Sequence, residues 1–127
     1  KIKGCLRSGE TILQATNAIS SLPVSGLLFN CCSPESITNA MPDLVKTKCK
    51  YIGGYANAFS PIPPDWTLDG DKESDGFLDM RSDLDPDAYV KHALEWLNGG
   101  ATVVGGCCGT RPSHIAKIRQ LIDTSRR

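Results

Sequence analysis

The sequence predicts an α/β fold built on a parallel sheet, and two observations carry that prediction. Short runs rich in β-branched and aromatic residues alternate with stretches whose apolar residues recur at helical spacing. The connections that leave the C-terminal ends of the runs are much longer than those that return to the next run, as in strand-then-helix units.

Taken in order, the apolar run at 2–6 is too short to read as a strand. After Gly9, the residues Ile12, Ala15, Thr16 and Ile19 mark a helix that Pro23 closes. Residues 24–29 form the next strand, which ends in Asn30-Cys31-Cys32. Ser33-Pro34-Glu35 then opens a helix, with serine as N-cap, proline in the first turn and an acid facing the positive helix end. That helix carries Ile37, Met41, Leu44 and Val45 and is expected to kink at Pro42, which removes a hydrogen bond. Residues 51–55 form another strand, followed by a long loop over 56–85 that runs through Pro61, Pro63 and Pro64. A loop of that length either has a function or rides over one. Asp85-Pro86-Asp87 opens a helix with Val90, Leu94 and Leu97 on one face and Tyr89, Ala93 and Trp96 beside them. Asn98-Gly99-Gly100 ends it, with glycine as the left-handed cap. Residues 101–104 form the last strand, which runs into Gly105-Gly106-Cys107-Cys108-Gly109-Thr110. The final helix, from about Pro112, is expected to bury Ile115, Ile118 and Ile122.

This gives about three complete strand–helix units and part of a fourth. A closed (βα)8 barrel takes ~250 residues, so 127 residues amount to about half of one. Two architectures fit: a small open sheet with helices on both faces, or a barrel fragment. The fragment would expose two sheet edges and one face of its core, so it should pair with a second copy or with the missing segment.

Lys+Arg 14 balance Asp+Glu 14, which leaves no basic excess for a nucleic acid or a membrane surface. No apolar run is long enough for a transmembrane segment, and no charged region precedes an apolar stretch near residue 1, so no transmembrane or secretory segment is expected. The acids concentrate between Asp65 and Asp87, where only Lys72 and Arg81 oppose them. Asp71, Glu73, Asp75 and Gly76 fit part of a calcium-loop pattern, but Ser82 stands where a bidentate carboxylate is required, so the stretch reads as a solvated loop. Six cysteines without a secretory leader suggest reduced thiols in the cytoplasm, where clustered cysteines more often mean metal or catalysis.

Cys31-Cys32 and Cys107-Cys108 share one address, directly after a strand and before a helix, where α/β folds bind ligands. Cys31, Cys107 and Cys108 could converge on Zn2+, which favours thiolates; three protein ligands and one open position make a catalytic rather than a structural site. Gly105, Gly106 and Gly109 let the backbone fold tightly around the second pair. The competing interpretations are that cysteines are common core residues, and that glycine-rich strand-to-helix turns bind phosphate or simply turn the chain. Cys32 should point the opposite way, into packing, while Cys5 and Cys49 read as incidental. His92 and His114 lie on helical patterns as surface or packing residues.

Asn30-Cys31, followed by Gly105-Gly106-Cys107-Cys108-Gly109-Thr110 with Pro112, His114 and Ile115, resembles the zinc signature of the homocysteine S-methyltransferase family. The resemblance implies a (βα)8 TIM barrel of which residues 1–127 supply roughly the C-terminal half, about strands 5/6 to 8, with the 56–85 loop over its mouth. It implies a zinc ion held by Cys31, Cys107 and Cys108, with homocysteine sulfur taking the open position and accepting a methyl group to give methionine. Asn57, Asn30 and Gly106 are the implied substrate-side residues, Asn57 by analogy with a family asparagine near the metal. S-methylmethionine, S-adenosylmethionine, betaine and methyl-folate through cobalamin are the donors in question, with a methylsulfonium slightly favoured.

Two departures from the family matter. Arg111 stands where the family has a threonine, so the last helix should lack a side-chain cap, at a cost of about 1 kcal/mol at most. The early-strand residues that hold the amino and carboxylate groups of homocysteine have no counterpart here, so this stretch by itself is expected to lack activity. Thiol redox at Cys107-Cys108 and a non-catalytic zinc-binding half-barrel module are the alternatives.

Overall fold

The computed structural model describes residues 4–61 and 79–126. Most of the loop foreseen at 56–85, including the greater part of the stretch weighed for calcium, lies outside them. The elements run α1 (Ile12–Ala18), β1 (Gly26–Asn30), α2 (Pro34–Lys46), β2 (Tyr51–Ala56), α3 (Pro86–Asn98), β3 (Val103–Gly106) and α4 (Pro112–Ser125). Of the run at 2–6, the described residues 4–6 hold one isolated bridge, between Cys5 and Thr11.

The strands form one parallel sheet in the order β1-β2-β3. Parallel neighbours that follow one another in sequence are joined by right-handed crossovers, so successive helices fall on the same face of the sheet. The side chains agree: Leu27, Phe29, Ile52, Ala56 and Val104 turn toward the helices, while Leu28, Tyr51 and Val103 on the other face stay exposed. Among the described residues, the open sheet with helices on both faces is therefore not what forms.

Local chemistry explains the helix boundaries. The Ser33 side chain accepts from the Ser36 N–H, and Asp85 accepts from the Ala88 N–H at 2.8 Å, each followed by proline in the first turn. Thr11 and Gln14 form a reciprocal capping box on α1. Helix α2 runs unbroken through Pro42. At the end of α3 the positive φ belongs to Gly100 at +111°, not Gly99.

The core joins Ile37, Met41 and Leu44 of α2, Tyr89, Ala93 and Trp96 of α3, and Ile118 of α4 against the covered sheet face. Gly54 lets α2 sit close, since a Cβ there would lie 2.8 Å from Ile37 Cδ1. Two helical faces are rotated from the sequence reading. On α3 the buried stripe is Tyr89, Ala93 and Trp96, and Leu94 is exposed; on α4 His114 and Ile118 are buried while Ile115 is 46% exposed. The cause is polar: Tyr89, Trp96 and His114 each find buried or part-buried hydrogen-bond partners, so aromatic bodies with satisfied tips displace the aliphatic residues. No helix among the described residues is long and apolar enough to cross a membrane.

Candidate metal centre

The end of the central strand separates the two cysteine segments and hydrogen-bonds to both. Cys31 N–H donates to Tyr55 C=O, and Asn57 N–H donates to Cys32 C=O at 3.1 Å. On the other side, Cys107 N–H donates to Ala56 C=O and Ala58 N–H to Cys108 C=O, both at 2.9 Å. Residues 56–58 thus fix the spacing between segments that start two strands apart.

Each cysteine segment needs an unusual backbone. Cys31 has φ +52°, a left-handed conformation that is costly for a residue with a side chain. Asn57 holds it there: its amide Nδ2 donates to Cys31 C=O at 2.7 Å, and its Oδ1 accepts from Phe59 N–H. Asn57 is 3% exposed, with both ends of its amide bonded to backbone. The second segment is a β-turn, closed by Thr110 N–H donating to Cys107 C=O at 3.1 Å, and its third residue, Gly109, has φ +76°. Thr110 Oγ1 reinforces the turn by donating to the same carbonyl at 2.6 Å. Gly106 makes room for that hydroxyl, because a Cβ there would lie 2.3 Å from Thr110 Oγ1.

These turns bring the Sγ atoms of Cys31, Cys107 and Cys108 within 4.8 Å of one another, with Cys107 and Cys108 at 3.9 Å. Three sulfurs arranged tetrahedrally at about 2.3 Å from one ion stand about 3.8 Å apart, so the set fits zinc after small side-chain adjustment. No disulfide joins any of the six cysteines. Cys31 and Cys107 are half-buried and Cys108 is exposed, so the cluster opens to solvent on one side.

The three thiols are not equivalent. Burial pushes the Cys31 thiol up, but hydrogen bonds from the Cys107 and Cys108 thiols, the Cys108 backbone and Asn57 outweigh it and hold Cys31 below the ordinary thiol range. Burial, then proton donation toward Cys31, pushes Cys107 up to about 11. The Cys31 sulfur is thus poised to be a thiolate while Cys107 keeps its proton. Asn30 also takes part, with its Oδ1 3.6 Å from Cys107 Sγ as acceptor.

Of the residues singled out in the sequence, Cys31, Cys107, Cys108, Asn30, Asn57 and Gly106 all belong to this neighbourhood. Cys32 packs partly buried against the core, as does Cys49. His114 lies away from the sulfurs, in the core. Its Nδ1 accepts from Arg111 N–H at 3.0 Å, so its Nε2 carries the hydrogen and donates to Leu84 C=O at 2.9 Å. Arg111 gives α4 no side-chain cap, and His114 supplies the return half of the capping arrangement.

Sequence reasoning missed Tyr89. Its hydroxyl accepts from Ala56 N–H at 3.1 Å and lies 2.9 Å from Gly105 C=O and 3.1 Å from Ala56 C=O, to which its proton can turn. Burial raises its phenol above the ordinary range, so it remains a donor. A polar-tipped aromatic inside an otherwise apolar helical stripe was the available signal.

Comparison with known proteins agrees with this picture. A sequence profile of the family described as Homocysteine S-methyltransferase matches residues 1–122. Among curated relatives, Homocysteine S-methyltransferase 2 of Zea mays is 28% identical over 119 residues, covering 93% of this chain and 32% of the relative. Selenocysteine methyltransferase of Astragalus bisulcatus is 26% identical over 121 residues, covering 92% and 32%. The chain thus spans about a third of the length of the curated relatives it matches. In fold, it is similar to the apo homocysteine methyltransferase MmuM of Escherichia coli, with a TM-score of 0.64 and 21% identity, over 93% of this chain and 35% of that one. With the profile spanning nearly every residue, this chain belongs to the homocysteine S-methyltransferase family.

Proposed function

We propose that the protein carrying this chain transfers a methyl group to the sulfur of homocysteine, at a zinc ion held by Cys31, Cys107 and Cys108. The observation that supports it is the meeting of three sulfurs within 4.8 Å at one sheet end, open to solvent on the Cys108 side. The chain supplies the C-terminal sector of a (βα)8 barrel. Its sequential parallel strands, helices on one face and uncovered second face suit the wall of such a barrel. The rest of the barrel, from further polypeptide or a second copy, would cover that face and complete the homocysteine pocket.

The reaction forms a sulfur–carbon bond at homocysteine and breaks the methyl bond of the donor, so the substrate sulfur must give up its proton before it attacks. Zinc in this site would lower the pKa of that thiol and offer one position for it. The chain's own residues prepare the site. Asn57 keeps Cys31 in its left-handed turn, Gly106 and Thr110 shape the Cys107-Cys108 turn, and Asn30 orients the Cys107 thiol. The positive ends of α2 and α4, directly after the two turns, favour negative charge on the sulfurs. A reducing, cytoplasmic setting suits three unpaired thiols.

The test is methionine formation from homocysteine by the intact protein, with S-methylmethionine, S-adenosylmethionine, betaine and methyl-folate supplied in turn. Replacing Cys31, Cys107 or Cys108 by serine should each lower the rate by more than about 100-fold, beyond what loss of an outer-shell partner costs. Cys49→Ser should leave it unchanged. Full activity in all three ligand variants would rule the proposal out.

A further inference from the structure

We propose that Tyr89 is a positioning residue for the metal centre, one hydroxyl that sets the relative placement of the two cysteine turns. The inference rests on the three-cysteine reading above and adds a residue that touches none of the sulfurs as a ligand.

The argument starts from where the hydroxyl sits. Tyr89 is 0% exposed, and its oxygen lies 2.9 Å from Gly105 C=O and 3.1 Å from both the N–H and the C=O of Ala56. Ala56 ends β2 and Gly105 is the penultimate residue of β3. One residue beyond Ala56 is Asn57, which holds the Cys31 turn, and two residues beyond Gly105 is Cys107. Cys107 N–H in turn donates to Ala56 C=O. A single O–H therefore joins the two strand ends at the points from which both cysteine segments depart.

The hydroxyl is itself held still. The Tyr89 ring packs edge-on against Trp96 at 6.0 Å and against His114 at 5.5 Å. Both neighbours are anchored: Trp96 Nε1 donates to Thr38 Oγ1 at 3.0 Å, and His114 bonds Arg111 N–H and Leu84 C=O. A rigid ring with a fixed oxygen suits positioning better than bulk filling, because removing that oxygen leaves Ala56 N–H without this buried partner and lets the strand ends drift.

Tyr89→Phe keeps the ring and deletes the oxygen. Co2+ serves as the probe in the intact protein, because thiolate-to-cobalt absorption reports both affinity and geometry. The variant should bind Co2+ at least about tenfold more weakly, with altered visible bands, as outer-shell losses do. Thr102→Val is the control for general destabilisation, since it removes a hydroxyl that bonds both the N–H and the C=O of Ile52, joining the same two strands at their opposite ends. It should lower the melting temperature yet leave Co2+ affinity within about twofold, inside the weak coupling expected of groups that share no partner with the site. Wild-type affinity and bands in Tyr89→Phe would overturn the positioning role and leave the metal reading standing. Equal weakening by Thr102→Val would also overturn it. Absence of thiolate–cobalt absorption in the wild type would overturn the metal reading and the role of Tyr89 with it.

Discussion

Asn57 shows how much of this site depends on side chains that are not themselves ligands. It is almost fully buried, and its amide satisfies Cys31 C=O and Phe59 N–H while its own N–H satisfies Cys32 C=O. Asn57→Ala takes the partner from two part-buried backbone groups and releases Cys31 from φ +52°. The expected loss is about 1–3 kcal/mol in a denaturant melt, the range for a buried polar group left unpaired. A change below about 0.5 kcal/mol, the scatter of neutral substitutions, would mean that water replaces the amide. That Cys31, Cys107 and Cys108 meet at one sheet end was legible from residue type and address. Asn57 was named only through the family resemblance, and its bond to Cys31 was not legible because the two meet across 26 residues of sequence; Tyr89, which reaches Ala56 across 33, was not named as a site residue at all. Periodicity marks Tyr89 only as one more large residue on an apolar stripe.

At the scale of elements, helix starts were the most legible feature, because a cap is a local bargain between a side chain and an N–H three residues away. Ser33 and Asp85 cap as their sequences require. The faces of α3 and α4 were less legible, since buried partners for Tyr89 and His114, not periodicity, fixed their rotation. The loop that leaves β2 has a described stem. Ser60 N–H donates to Asp79 C=O and Arg81 N–H to Ala58 C=O, and the Arg81 guanidinium reaches back to Glu35 in the first turn of α2 at 2.7 and 2.9 Å. The hydrogen bonds from Arg81 hold the Glu35 carboxyl below its usual range, against the opposing effect of burial. A carboxylate with a lowered folded pKa contributes stability that is fully present above its unfolded value of 4.5 and disappears as pH falls through the folded one. The Glu35 side chain is 48% exposed, so solvent screening limits the Arg81–Glu35 pair to about 1 kcal/mol or less. Arg81→Met should therefore melt lower than wild type by a constant margin near neutral pH, and the margin should close on acidification below about pH 4. A margin that persists at low pH would assign the loss to the arginine stem and its backbone, not to the ion pair.

At the scale of the molecule, the sheet is finished on one face and unfinished on the other. Leu28, Tyr51 and Val103 are 38%, 44% and 38% exposed on the open face, and β1 and β3 each have an edge without a neighbour among the described residues. A groove lined by Leu6, Ile12, Ile19, Leu27 and Leu44 runs beside the β1 edge. Apolar side chains on an open sheet face suit continuation by further strands, in keeping with a chain that spans about a third of its relatives. The alternation of strands and helices was readable from the sequence, and one-sided covering belonged to one of the two architectures it allowed; the order β1-β2-β3 and the hand of the crossovers decide between them. The three sulfurs lie on the finished part, held by β1, β2 and β3 ends and their turns. The most direct test of the account is therefore zinc content with sulfur coordination, measured by elemental analysis and X-ray absorption on protein purified under reducing conditions, beside Cys107→Ser. The account predicts about one zinc per chain with sulfur neighbours at about 2.3 Å, and its loss in the variant. Zinc retained in Cys107→Ser, or wild-type protein that takes up none when zinc is supplied, would contradict it.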